Sequence, residues 1–297
     1  MNSIKNLLRF ILPGIIIQTM IFYGCTKDND PVIPEDDTPK LKKECYFGNL
    51  TDTIPWTYNL YEYDNSGNLI KKTGYSGTPE DYISGYTTYE YDSENKLIKE
   101  SHYAGDNLEL WIYLIYTYSG TSLIKKEIFN GNNEFKRSSN YEYDNRGNRI
   151  KSWQFDPDQG IYQVAYFEYD ENNNRIKEIG SSAYWIHEYD EQNRKISTKT
   201  YGLQDSTLHT HYTYDYQGNL LIRHNYHNNQ TGEVYFKTEY FYDSNDNLIE
   251  VIDERDGIRN TLKTYMYENN LLVEYIGYDR MIAYKINMII RYEYYIN

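Results

Sequence analysis

The sequence predicts an all-β chain: about nine antiparallel β-hairpin repeats whose Tyr-rich sheet curls into a barrel-like shell. Three observations predict it. A unit of about 26 residues recurs from the middle of the N-terminal third to the C-terminus. Apolar and polar residues alternate with period two inside each unit. Tyrosine is in large excess, with 37 residues against 9 Phe and 4 Trp. Mean hydropathy is low, yet so many rings can bury the area a folded domain needs, which excludes a disordered chain. A β-propeller with two repeats per four-stranded blade is the alternative way to cover the Tyr face.

Residues 1–24 read as a signal peptide. A short basic start (Lys5, Arg9) leads into an apolar stretch from Phe10 to Tyr23, shorter than the roughly 20 residues a membrane helix needs. The stretch ends Gly24-Cys25, a small residue before a cysteine, and so resembles a bacterial lipoprotein signal; that resemblance implies acylation of Cys25. An ordinary secretory signal with an incidental cysteine is the bland alternative. Residues 25–45 read as a tether, because Pro31, Pro34 and Pro39 stand among acidic residues. The Lys27-Asp28 run behind Cys25 resembles the surface-export signal of Bacteroidetes lipoproteins. The implied location is the outer membrane, lipid-anchored and facing the exterior, with the periplasmic face as alternative. Cys45, the other thiol, reads as a small buried apolar residue.

Residues 46–297 form the repeat domain. The clearest copy is Tyr61-Glu62-Tyr63-Asp64-Asn65-Ser66-Gly67-Asn68-Leu69-Ile70-Lys71. Others place their second Tyr at Tyr91, Tyr118, Tyr143, Tyr169, Tyr189, Tyr214, Tyr242 and Tyr267, and a clipped tenth begins at Tyr292. Each unit reads as a hairpin, so about eighteen strands are expected, with the paired tyrosines on one face and Glu or Thr on the other. If Tyr63 opposes Ile70, then Glu62 opposes Lys71, and the spacing recurs in Glu90/Lys99, Glu142/Lys151 and Glu168/Lys177. The buried face is then Tyr plus Ile70, Ile98, Ile150, Ile196, Ile249 and their equivalents. Asp follows the second Tyr at Asp64, Asp92, Asp144, Asp170, Asp190, Asp215 and Asp243. It is replaced by Ser119 and Glu268 where the turn is shorter. That link ties the Asp to turn geometry, not to calcium or catalysis.

The pattern Tyr-x-Tyr-Asp-x-x-Gly-Asn-Leu-Ile, from Tyr61 to Ile70 and nearly so from Tyr212 to Leu221, resembles the YD repeat of rearrangement-hotspot (Rhs) proteins. The resemblance covers roughly residues 55–297. It implies a β-shell, without the C-terminal toxin domain or the Asp-Pro autocleavage segment of that family.

Chemistry is sparse. No phosphate loop, nucleophile elbow, Cys-x-x-Cys or His-Glu-x-x-His motif occurs, so no catalytic residue and no cofactor are expected. His209, His211, His224 and His227 lie close in sequence, but parity puts His224 on the Tyr side and His209 and His211 opposite, so no metal site is expected. The net charge of −14 argues against nucleic acid or an anionic membrane surface as partner, leaving the lipid as the membrane contact. Parity also puts Trp111, Tyr113 and Trp153 on the polar face, a candidate platform for a glycan or protein ligand unless a bulge reverses parity or another layer covers them. The expected function is a non-enzymatic surface lipoprotein binding a glycan or protein. The alternatives are an Rhs-like shell or remnant of a polymorphic toxin system, and a glycan-active enzyme with carboxylates assembled by the fold.

Overall fold

The computed structural model describes residues 39–76, 82–105, 107–227, 234–279 and 285–295. Cys25, the apolar leader and most of the tether lie outside the described residues. All elements are strands. The first ten are β1 Leu41–Phe47, β2 Thr57–Tyr63, β3 Leu69–Ser76, β4 Tyr82–Tyr91, β5 Leu97–Ala104, β6 Glu109–Ser119, β7 Ser122–Asn130, β8 Phe135–Tyr143, β9 Arg149–Asp156 and β10 Gly160–Tyr169. Then come β11 Arg175–Ile179, β12 Ala183–Tyr189, β13 Lys195–Gly202, β14 Leu208–Gln217, β15 Leu220–His227, β16 Val234–Tyr242, β17 Leu248–Arg255, β18 Ile258–Glu268, β19 Leu271–Asp279 and β20 Lys285–Tyr294.

Each strand pairs antiparallel with its neighbours in sequence, and β20 pairs with β1. The result is one closed up-and-down barrel of 20 strands, two more than expected, and not a propeller. Twenty strands at ~4.8 Å spacing and ~40° tilt correspond to a ring roughly 40 Å across. Closure leaves no unpaired edge.

The two extra strands come from the ends of the chain. Tyr292-Glu293-Tyr294 is the first arm of a tenth hairpin, and Leu41-Lys42-Lys43 is its second arm, contributed from the N-terminus. Tyr294 pairs with Leu41 and Glu293 with Lys43, with Lys42 bulged between. The bulge matches that of the intact repeat, where Tyr63 pairs with Leu69, Glu62 with Lys71, and Ile70 is the extra residue. The Tyr295 N–H donates to the Lys40 carbonyl (2.8 Å) as Asp64 donates to Asn68 (2.9 Å). The repeat domain therefore begins by Leu41, inside the segment read as tether.

The bulge also corrects the expected core. Glu62/Lys71, Glu90/Lys99, Glu142/Lys151 and Glu168/Lys177 do oppose each other. Ile70, Ile98, Ile150, Ile196 and Ile249, however, are 36–38% exposed. Their hairpins end in a turn whose fourth residue has positive φ (Gly67, Asn95, Gly147, Asn193 and Asp246). Such a loop inserts one residue into the returning strand. Leu, Arg or Lys, not Ile, then faces the second Tyr.

The bulge explains why that position is Tyr and not Phe. A tyrosine hydroxyl donates to the carbonyl at the head of the preceding hairpin's returning strand: Tyr91 to Leu69, Tyr143 to Leu123, Tyr169 to Arg149 and Tyr189 to Arg175, all at 2.9 Å. Tyr118 to Leu97 and Tyr294 to Leu272 follow at 3.1 Å. These bonds satisfy a backbone acceptor at the irregularity and link each hairpin to the one before.

At the seam both sheet faces are buried. Cys45, Phe47 and Ile289 cluster on one face with Tyr58, Ile276 and Ile286 against them, and burial pushes the Cys45 thiol up to about 11. On the other face Tyr61 donates to Glu44 (2.7 Å), as does the Asn59 amide (2.9 Å). Loop residues 48–56 fold over the first cluster, and Arg291 donates to the Leu50 and Asp52 carbonyls.

Candidate functional site

The register divides the wall into two faces. The tyrosine face carries Tyr61, Tyr89, Tyr116 and their equivalents with Lys72, Glu100, Lys126, Arg149 and Arg223. The charged face carries the Glu/Lys pairs, including Lys99–Glu90 and Lys177–Glu168, both 2.9 Å. Charges thus stand on both faces. A lipid-facing band would have to exclude them, at about 2–4 kcal/mol per Lys or Arg near mid-bilayer. Neither face is free of charge as such a band would be. No described helix is long and apolar enough to cross a membrane.

Tyr113 and Trp153 do share the charged face, opposite Ser101 and Asn140. They are not neighbours, since two strands separate β6 from β9. Tyr113 stacks on Phe129 (5.0 Å, 7°), Phe129 meets Phe135 edge-on (5.6 Å), and Phe135 stacks on Phe155 (6.2 Å). Trp153 stands apart under the Lys151 ammonium, 4.7 Å from its ring. Trp111 lies at the end of β6 and is 65% exposed.

Tyr113 is one instance of a feature absent from the sequence reading. Tyr58/Tyr75, Tyr86/Tyr103 and Tyr184/Tyr201 are also stacked cross-strand pairs, 4.4–5.0 Å apart and nearly parallel. The signal was available: an aromatic four residues before the Glu or Thr and another four after the facing Lys or Ser. Stacking occupies one face of each ring, so Tyr113 is half-consumed as a platform and Trp111 remains the open ring.

The two ends of the barrel differ sharply. At the turn end, Asp64, Asp92, Asp144, Asp170, Asp190 and Asp243 each accept two backbone N–H bonds through Oδ1, from the residues two and four further on. Asn amides then tie turn to turn, as Asn68 to Asn95 (3.0 Å) and Asn148 to Asn173 (2.9 Å). The described chain enters at this end, through Lys40, whose carbonyl accepts from the Tyr295 N–H. At the opposite end Ile54, Trp56, Tyr82, Trp111, Ile161 and Ile258 are each 60–70% exposed. They come from five connections spread around the ring.

Asp215 does not join the ladder. β14 and β15 meet in a two-residue turn at Gly218-Asn219, with Gln217 opposite Leu220 and no bulge. The tyrosine beside the turn is therefore Tyr216, which bonds the Lys195 carbonyl (3.0 Å). His224 pairs with Thr213 on the charged face, beside His211 and not on the Tyr side. His211 stacks on Tyr226 (5.1 Å) with its Nε2 3.3 Å from Ser197 Oγ. Among the described residues no group of three His, Cys, Asp or Glu is placed to hold a metal ion.

No family model and no curated protein sequence matches the chain. Among solved structures, the TcdB2-TccC3-Cdc42 complex matches at 15% identity and TM-score 0.42, over 78% of this chain and 14% of that one. The chain thus spans about one-seventh of that protein's length. A porin-like protein from Bacteroides uniformis matches at 13% identity and TM-score 0.35, over 87% of this chain and 98% of its own. Another from Bacteroides vulgatus matches at 9% and 0.28, over 87% and 99%. At TM-scores below 0.5 these likenesses carry no functional argument.

Proposed function

We propose that this chain is a lipid-anchored, extracytoplasmic barrel of the outer membrane that binds a protein partner through its apolar end. The observation behind the reading is the polarity of the two ends. Large apolar side chains gather at the end opposite the tether, where a barrel held at Cys25 would present them away from the lipid. About ten such side chains, each exposing roughly half of 100–250 Å², offer on the order of 1,000 Å², above the ~800 Å² per partner of an ordinary interface. Ile and Leu among them suit a protein better than a sugar. Asp52, Asp158, Asp205 and Asp256 lie between them, so the complementary surface is an apolar patch bordered by Lys and Arg.

A photo-cross-linking side chain at position 111 should capture one protein in intact cells, and the same group at position 145, in a polar turn, should not. Purified partner should then lose about tenfold or more in affinity to a W111A/I161A variant. Capture from position 145 alone would reverse the assignment of ends. Cys25→Ala should release the barrel from membranes; retention with an unchanged mature start would remove the anchor. The second reading, a YD-type shell around a cargo, is favoured by closure of the wall, and it requires material co-purifying inside the barrel.

A further inference from the structure

One hairpin of the tyrosine face assembles an acyl-transfer constellation that no sequence motif announces. Thr87 on β4 stands directly opposite His102 on β5, with Thr87 Oγ1 3.1 Å from His102 Nδ1. The other ring nitrogen, Nε2, lies 3.0 Å from Glu100 Oε1. Glu100 is two residues back on the same strand and hence on the same face. Its second oxygen accepts from Tyr116 OH at 2.7 Å. Burial acts to raise the Glu100 carboxyl, but the bonds from His102 and Tyr116 outweigh it and hold it below the ordinary range. An ionised Glu100 keeps the ring proton on Nε2, leaving the Nδ1 lone pair to accept the Thr87 hydroxyl proton. Hydroxyl, imidazole and carboxylate are in the order that activates a nucleophile.

The hydroxyl and the ring are both partly open to solvent. Thr87 is half-buried and the His102 side chain is 30% exposed. Beside them the same face is floored by Gly74, Gly85 and Ala104, paired across β3, β4 and β5. Gly85 cannot be larger, because a Cβ there would lie 2.8 Å from the Tyr103 carbonyl oxygen. Lys72 pairs with Thr87 from the other side. Its flexible stem rests with Nζ 5.5 Å from the Tyr61 ring centroid, and it is the cation in register with the nucleophile.

The barrel contains its own control. His187 and Thr198 are also directly opposed on the tyrosine face, 3.0 Å apart. There His187 Nε2 has no hydrogen-bond partner, and the ring is flanked by Lys195 and Arg175 instead of a carboxylate. Burial first, and those cations second, push it down to about 3. That pair has no orienting acid and the ring is nine-tenths buried.

We propose that Thr87 and His102, oriented by Glu100, hydrolyse carboxylic esters with a small acyl group. Thr87 Oγ1 attacks the ester carbonyl carbon while its proton passes to His102 Nδ1, and the oxyanion forms on the Lys72 side. The C–O bond to the alcohol breaks as Nδ1–H protonates the leaving oxygen, giving acyl-Thr87. Water, deprotonated by the same nitrogen, then attacks that ester; the carboxylic acid departs and Thr87 recovers its proton. No oxidant, reductant or metal enters the balance. This site stands independently of partner binding at the apolar end.

The probe is 4-nitrophenyl acetate with the full-length chain. Turnover should be saturable, and acid quench should leave an acetyl group on the peptide containing Thr87. Thr87→Val and His102→Gln should each cost about 100-fold or more, and Thr87→Ser should restore turnover. Glu100→Gln, removing the positioning carboxylate, should lower kcat with little change in KM. His187→Gln should leave the rate unchanged. Circular dichroism melts of each variant separate loss of chemistry from loss of fold, with Thr87→Ser as the variant that keeps the hydroxyl. Turnover at background in the folded wild type, a wild-type rate in folded Thr87→Val, or acetylation confined to lysines or tyrosines would each overturn the proposal.

Discussion

The two ends of this barrel differ in how uniform their connections are, although the β7–β8 turn at the apolar end closes on Asn130 just as the turns of the other end close on Asp. At the turn end nearly every connection is short and self-contained: an Asp closes its own backbone, a Gly, Asn or Asp takes positive φ, and an Asn reaches the next turn. At the apolar end the connections differ in length and sequence, and they leave Trp, Tyr and Ile side chains in water. Repetition therefore marks where local hydrogen bonding alone decides structure. Variation marks where the chain is free to carry a surface. The wall between the ends keeps its register by bulges and cross-strand charge pairs, which favour one pairing over its neighbours by a few tenths of a kcal/mol each.

The sharpest way to break this comparison lies at the apolar end, at Gly131. Its N–H donates to the Trp111 carbonyl at 2.8 Å, and a Cβ there would overlap the Leu110 carbonyl oxygen. Neither atom is the end of a flexible side chain, so the backbone of β6 or β7 must move. Gly131→Ala should cost about 3 kcal/mol or more in chemical denaturation. A melt within ~0.5 kcal/mol of wild type would show that this end yields freely and that its loops are not fixed relative to one another.

At the turn end a single side chain should matter less. Asp144 accepts from Arg146 N (2.9 Å), Asn148 N (2.8 Å) and the Asn148 amide (3.1 Å). Asp144→Ala should cost about 0.5–2 kcal/mol, like loss of a helix cap, and Asp144→Asn little, because the amide oxygen still accepts. Asp215→Ala, mid-strand in the hairpin with the tight turn, should cost less than ~0.5 kcal/mol. Equal losses at both positions would mean the Asp acts through charge and not through the turn.

Much of this was legible in the residues. Glu62/Lys71 and its equivalents predict the register correctly, because opposite charges two strands wide have one pairing that satisfies them all. The Asp at six turns announces its own role through its loss at Ser119 and Glu268. What escaped were events that change the count by one. Ile70 looks like a core residue until the positive φ of Gly67 forces a bulge. Asp215 looks like a turn residue, but Gly218-Asn219 makes the tighter hairpin two residues later. Leu41-Lys42-Lys43 reads as tether because its partner strand lies at the other end of the chain. Of the candidate site, the shared face of Tyr113 and Trp153 was legible from parity. The separation of Trp153 and the gathering of Ile54, Tyr82, Ile161 and Ile258 with Trp111 were not, since loops without a repeat leave no pattern to read.

Between the ends, the wall should report one titration. His187 is nearly fully buried and is pushed down to about 3 from the ordinary 6.5, by burial and then by Lys195 and Arg175. The unfolded chain then binds a proton that the folded chain refuses whenever pH lies between those values. Stability therefore rises with pH across the window, and is lost as pH falls from about 6.5 toward 3, with a slope of about 1 kcal/mol per pH unit. His187→Gln should flatten that slope down to pH ~4.5, below which the carboxylates take over. An unchanged slope in the variant would assign the acid sensitivity to them alone.

The smallest expected effect is at Trp111, and it bears most directly on what the apolar end is for. A buried Trp truncated to Ala costs about 3–5 kcal/mol, because its contacts vanish and a cavity remains. Trp111 is 65% exposed, and its backbone, which holds Gly131, is untouched by the change. Trp111→Ala should therefore stay within ~1 kcal/mol of wild type, while Trp153→Ala, which strips the ring beneath the Lys151 ammonium, should cost more. If both cost equally little, the charged face is as uncommitted as the loops, and Trp153 returns as a ligand candidate. A loss of several kcal/mol at Trp111 would place its ring in packing that the exposed end does not show, and the polarity of the two ends would no longer point to a partner.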